Sequence, residues 1–244
     1  MLIAIEGVDK SGKETQTALL LERLRKENRN ARKIEFPNYA SEAAGAVRMY
    51  LGGAFGANPD DVNPYAASVL FAVDRYASYK TDWGAFLGAG GIVIADRYTM
   101  SNMIHQGAKF ADAAERRTYI DWLIDLEFVK IGLPVPDMVV FLDLSMDLRE
   151  KLLAQAATAT QKASAPQAPA HGGEAPPEGG ETPPVGVADI HERDLPYLRR
   201  SHACAREIAA HLGWRRIDAG QNGALRPIAD IHEEIYTAVA AMLQ

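Results

Sequence analysis

One stretch near the N-terminus constrains this chain more than any other. Gly7-Val8-Asp9-Lys10-Ser11-Gly12-Lys13 has the register G-x-x-x-x-G-K. It follows the short apolar run Leu2 to Glu6 and precedes Thr17 to Glu27, where Leu19, Leu20, Leu21 and Leu24 lie among charges. A buried strand, a glycine loop and a helix with one apolar face make a unit that binds phosphate. Glycines let backbone N–H groups turn inward around phosphate oxygens, and the helix N-terminus adds partial positive charge. Lys13 reaches the terminal phosphates. The sequence therefore predicts a nucleotide-phosphate site made of Gly7, Ser11, Gly12, Lys13, Glu14 and Thr15. In the usual loop a Ser or Thr after the lysine ligates Mg²⁺. Here that residue is Glu14, so either its carboxylate holds the metal or it points away and leaves Thr15 to help.

The rest of the chain repeats the strand–helix alternation. Lys33 to Phe36 reads as a second strand stopped by Pro37, Ile92 to Ala95 as a third, Met138 to Leu142 as a fourth, and Trp214 to Ile217 as a fifth. Helical patterns cover Ser41 to Leu51, Pro64 to Leu87, Ala111 to Lys130, Asp147 to Ala156 and Leu225 to Leu243. The expectation is an α/β fold, a phosphate-loop nucleotide-binding architecture with a five-stranded parallel sheet flanked by helices. Ligands of such sheets bind at the carboxyl ends of the strands. The 244 residues read as one domain spanning 1–244. Ala157 to Ala188 breaks the pattern: it has no Leu, Ile or aromatic residue but six prolines and five glycines. Such a segment buries too little apolar surface to offset its ordering entropy, and it reads as an insertion inside the domain.

Apolar runs such as Met138 to Leu142 are five residues long, far short of the roughly 20 needed to cross a bilayer. Glu6, Asp9 and Lys10 interrupt the opening apolar stretch before it makes a signal peptide. A single cysteine, Cys204, forms no internal disulfide, so a reducing cytoplasmic location is expected. It reads as a small buried hydrophobe. The net charge of −6 argues against a general grip on nucleic acid. The six histidines show no metal-ligand spacing, so surface or capping roles are expected for them.

Two further clusters carry chemistry. Phe71 and Arg75 lie at i and i+4, on one face of a helix. An aromatic face can stack on a pyrimidine while a guanidinium bonds its carbonyl edge; the pair reads equally as a core phenylalanine and a solvated arginine. Asp96-Arg97 falls at the end of the third strand, where the sheet rule puts the ligand. Arg97 there could bridge donor and acceptor phosphates, and Asp96 could orient a Mg²⁺ shell; the alternative is an Asp–Arg pair closing a loop.

The string Glu6 to Gln16, EGVDKSGKETQ, resembles the phosphate loop of the thymidylate kinase family. Phe36-Pro37, the segment Leu70 to Tyr76, Asp96-Arg97-Tyr98 with Ser101 and Gln106-Gly107, and Gly132 to Asp137 are similar to family motifs in the same order. The resemblance implies a nucleoside monophosphate kinase that transfers the γ-phosphoryl group of ATP to dTMP with Mg²⁺ bound, as a homodimer. It implies Lys13, Arg97, Asp9 and Lys10 as the groups at the transfer. It implies Asp9, Phe36, Pro37, Phe71, Arg75, Arg97, Ser101 and Gln106 around dTMP; Asp96 and Glu14 are the candidates for the metal from their own chemistry.

A lid is implied at 189–200, where Arg193, Arg199 or Arg200 would cover the phosphates and Tyr197 either borders the sugar or simply packs. Three positions depart from the family pattern: Glu14, Tyr39 where an arginine is usual, and Ile190 where the lid carries one. They leave two other readings open, a related deoxynucleoside kinase and a nucleotide-binding regulator without catalysis.

Overall fold

The computed structural model describes residues 1–8, 10–163 and 189–243. Five parallel strands form the central sheet: β1 (Leu2–Gly7), β2 (Ala31–Glu35), β3 (Ile92–Asp96), β4 (Met138–Asp143) and β5 (Arg215–Asp218), in the order β2-β3-β1-β4-β5. All six residues of β1 are buried, so no polar alternation shows in its sequence. Side chains of a strand alternate between faces, and the two cores follow that alternation. Leu2, Ala4, Val93, Ala95 and Phe141 enter one core with Trp83, Tyr98 and Tyr119. Ile3, Ile5, Ile94, Val140 and Leu142 enter the other with Leu20, Leu24, Ile231 and Ile235.

The helices are α1 (Lys13–Lys26), α2 (Gly45–Leu51), α3 (Pro64–Ser78), α4 (Gly84–Gly88), α5 (Thr99–His105), α6 (Ala113–Ile124), α7 (Met146–Ala163), α8 (Ile190–Arg193), α9 (Leu195–His211) and α10 (Ile228–Ala240). The long pattern expected from Pro64 to Leu87 is α3 and α4 joined through a π-helical turn at Tyr79–Trp83; a second such turn, Asp125–Lys130, extends α6. Helix α7 runs seven residues beyond the expected Ala156, because alanine, glutamine and lysine favour helix whatever their hydrophobicity. Residues 164–188 of the Ala/Pro/Gly-rich segment lie outside the described residues. Helix α5 and a small hairpin, β6 (Gly220–Gln221) with β7 (Ala224–Leu225), have no counterpart in the sequence reading. No described helix is long and apolar enough to cross a membrane.

Register positions the working edge. Ile5 pairs with Asp96 across β1 and β3, and Gly7 pairs with Leu142 across β1 and β4. The loop after β1 therefore opens beside Asp96-Arg97, at the carboxyl edge of the sheet.

Candidate active site

The strand, glycine loop and helix read from the sequence are present, with β1 ending at Gly7 and α1 beginning at Lys13. A Cβ on Gly7 would sit 2.7 Å from the Leu142 carbonyl oxygen, so only glycine allows β4 to approach there. Gly12 takes φ +91° as the residue that turns the chain into α1. Lys13 is buried, and its ammonium donates to the Val8 carbonyl at 3.0 Å, spanning the loop from inside. Glu14 and Thr15 both stand exposed on the first turn of α1, facing away from the core. Lys10 is exposed and takes φ 68°. Asp9 lies outside the described residues.

Beside this loop a cavity of about 280 Å³ gathers distant parts of the chain. Phe36 and Pro37 from the end of β2, Phe71 and Arg75 from α3, Asp96 and Arg97 from β3, and Ser101 and Gln106 from the α5 region all line it. These are eight of the residues expected around the acceptor or the metal, brought to one place from four segments. Burial pushes the Asp96 carboxyl above its usual range, although Lys13, Arg97 and Lys33 pull it back. Arg97 takes φ 67°, a backbone conformation uncommon outside glycine, and its N–H donates to the Ile5 carbonyl at 3.1 Å.

Several expectations change at the level of side chains. Arg75 is not solvated: it is buried, and its Nε and Nη2 donate to Glu127 at 2.7 and 2.6 Å. Thr99 Oγ1 donates to the same carboxylate at 2.8 Å. Ser101, expected at the pyrimidine edge, donates its Oγ to Glu6 at 2.7 Å. Gln106 is fully buried, with Nε2 donating to the Tyr50 hydroxyl at 3.3 Å and Oε1 without a hydrogen-bond partner among the described residues. Asp74, next to Arg75, accepts from the Asn38 N–H at 2.8 Å and so pins the loop that carries Phe36, Pro37 and Tyr39. Tyr39 itself lines the cavity from that loop, about half exposed.

The histidines differ from expectation. His105 and His191 line the cavity with their rings stacked, centroids 5.1 Å apart. His191 Nε2 meets the Tyr50 hydroxyl at 2.8 Å. Ile190, in the position where an arginine was expected, is buried against Val47, Tyr50, Leu51 and Ala67. Its apolar side chain fastens α8 to α2 and α3. Arg199 pairs with Asp147 and Glu150, and Arg200 with Asp60, from the exposed side of α9. Tyr197 is packed, donating to the His105 carbonyl at 2.8 Å. Glu6, Asp74, Glu127, His105 and His191 escaped the sequence reading; the acid that opens EGVD was the one local signal for any of them.

Comparison with known proteins gives the family. Residues 5–167 match the family model described as Thymidylate kinase. The thymidylate kinase of Mycobacterium tuberculosis is 38% identical over 149 residues, which are 61% of this chain and 68% of the relative. The human thymidylate kinase is 30% identical over 145 residues, 59% of this chain and 61% of that protein. A solved thymidylate kinase structure from Candida albicans covers 98% of this chain and 91% of its own with a TM-score of 0.67; at 22% identity it speaks to the fold alone. The phosphate loop, the third-strand Asp-Arg and the Phe-x-x-x-Arg helix thus sit within a matched region that takes in most of the chain, and the chain belongs to the thymidylate kinase family.

Proposed function

We propose that this chain is a thymidylate kinase that transfers the γ-phosphoryl group of ATP to dTMP, giving dTDP and ADP. The observation that carries the reading is that one cavity beside the phosphate loop is lined by Phe36, Phe71 and Arg75 together with Asp96 and Arg97. A planar base against Phe71, with its polar edge toward Arg75 and Gln106, leaves the acceptor phosphate facing Arg97 and the donor loop. The acceptor oxygen then attacks in line, and the protein contributes position and charge rather than a covalent intermediate. Lys13 and Arg97 neutralise the moving phosphoryl group; Lys10 and Asp9 act from the loop between them, Asp9 toward the acceptor.

Asp96 and Glu14 offer carboxylate oxygens suited to Mg²⁺, directly or through water. When bound, Mg²⁺ neutralises phosphate charge. The whole of 1–244 works as one kinase domain, with 157–188 inserted before a lid at 189–200. It acts in the cytoplasm and needs neither nucleic acid nor membrane.

Its partner is a second copy of the chain. Val69, Val73 and Tyr76 form an exposed apolar strip along α3, on the face turned away from Phe71 and Arg75. Burying such a strip is favourable and suits a homodimer.

The test is a coupled ADP-release assay with ATP and Mg²⁺ against nucleosides and nucleoside monophosphates. Turnover with dTMP, less with dUMP and none with thymidine is expected. Turnover with nucleosides would replace this reading by a deoxynucleoside kinase. Nucleotide binding without turnover would replace it by a non-catalytic regulator.

A further inference from the structure

Glu6 is completely buried, and an ionised carboxylate there carries a large desolvation penalty. Its two oxygens are spent on one short segment. Oε1 accepts from the Tyr98 N–H at 2.8 Å, and Oε2 accepts from Ser101 Oγ at 2.7 Å. Tyr98 directly follows Arg97, whose own N–H is held by the Ile5 carbonyl. Two consecutive residues of β1, Ile5 by its backbone and Glu6 by its side chain, thus grip the turn on both sides of Arg97. That grip coincides with the positive φ of Arg97, a conformation that persists only where its surroundings over-determine it. On its other side Glu6 adjoins Gly7, the first residue of the phosphate loop.

We infer that Glu6 is the positioning residue that fixes Arg97 relative to the phosphate loop. The inference rests on the kinase reading, in which Arg97 neutralises the transferred phosphoryl group. A glutamate suits this place because its two oxygens reach the Tyr98 N–H and Ser101 Oγ at once. Burial raises the Glu6 carboxyl above its usual range, while Arg97, the bonds from Ser101 and Tyr98, and Lys13 pull it back. The consequence is specific: disturbing Glu6 displaces the guanidinium without removing any group that touches either nucleotide. A misplacement of about 1 Å can cost about 100-fold in rate.

The test compares Glu6→Asp, Glu6→Gln and Glu6→Ala, alone and with Arg97→Ala. Glu6→Asp keeps the charge and shortens the reach by one methylene. It should lower kcat about 100-fold while the calorimetric dissociation constant for ATP stays within about threefold. Glu6→Gln should stay near wild type, because its amide oxygen accepts from Tyr98 and its amino group donates to Ser101 Oγ. In the Arg97→Ala background Glu6→Asp should cost less than about threefold more, since coupled residues are not additive. Equal losses in both backgrounds, a silent Glu6→Asp, or a Glu6→Gln as damaged as Glu6→Asp would each overturn the assignment. Should Glu6→Ala fail to fold, the Asp and Gln variants still decide. A wild-type chain that turns over no dTMP defeats the kinase reading and this inference together, whereas an active wild type with additive losses defeats only the inference.

Discussion

Arg75 and Glu127 meet through two parallel hydrogen bonds of 2.7 and 2.6 Å, with both side chains almost wholly out of solvent. The pair joins α3 to the π-helical turn at the end of α6, and Thr99 Oγ1 adds a third bond to the same carboxylate. A guanidinium held flat by this fork can present its remaining edge to the cavity without losing further side-chain freedom.

Removing Glu127 should therefore be expensive twice. Glu127→Ala leaves a buried, uncompensated arginine and is expected to lower stability by about 3–5 kcal/mol. It should also raise the dTMP KM, because Arg75 loses its orientation. Chemical denaturation and steady-state kinetics on the same preparation check both.

At the other end of the same face, Phe71→Ala should raise the dTMP KM by about 10- to 100-fold, the worth of a lost aromatic contact. Its effect on the ATP KM should be small, since Phe71 lines the cavity with Arg75 and Arg97 and is no part of the phosphate loop. Equal effects on both substrates would contradict this division of the site.

Gln106 gives a prediction with two signs. Its Oε1 is buried without a hydrogen-bond partner among the described residues, a condition that costs about 1–3 kcal/mol until a donor arrives. Gln106→Leu should leave the free protein as stable or more stable, while weakening dTMP binding measured by calorimetry. A loss of stability without a loss of affinity would remove Gln106 from the acceptor site.

Asp74 is a buried carboxyl raised above its ordinary range by burial, although the Asn38 N–H and the charges of Arg75 and Arg48 pull it down. A raised carboxyl makes the folded state less favourable as pH climbs past the unfolded value. Asp74→Asn removes that charge but keeps an oxygen for Asn38, so it should match or exceed wild-type stability at pH 7. Asp74→Ala frees the loop carrying Phe36 and Tyr39 and should raise the dTMP KM. Thermal melts paired with kinetics separate the two variants.

Asp143 carries the acid dependence. Burial opposes its ionisation, yet the His202 hydrogen bond at 2.6 Å and the charges of His202, Arg216 and Arg206 outweigh it and hold the carboxyl below its usual range. Because the folded form binds its proton less readily, this stabilisation is full above about pH 4 and is lost as pH falls through the lower folded value. Urea midpoints measured from pH 7 downward should fall less steeply in Asp143→Asn below about pH 4 than in wild type.

What could be read from sequence was what neighbours in the chain determine. The phosphate loop, the five strands of the sheet and the Phe71–Arg75 face are set within a dozen residues each, by glycine placement and by hydrophobic period. The partners of Glu6, Arg75 and His191 lie 92, 52 and 141 residues away, so no local pattern announces them. Ser101 shows the same limit: its position near the cavity was legible, but the direction of its hydroxyl depends on Glu6, across the sheet. Helix α5 and the hairpin at Gly220–Leu225 are too short for periodicity to mark them.

Helix α3 is read by two audiences. Its inner side holds Phe71 and Arg75, and its outer side displays Val69, Val73 and Tyr76. One residue inserted anywhere before Val69 would turn the following segment by about 100° and deliver the wrong side chains to both. Substitutions at these positions can be accommodated one at a time, but the spacing between Pro64 and Tyr76 tolerates neither insertion nor deletion.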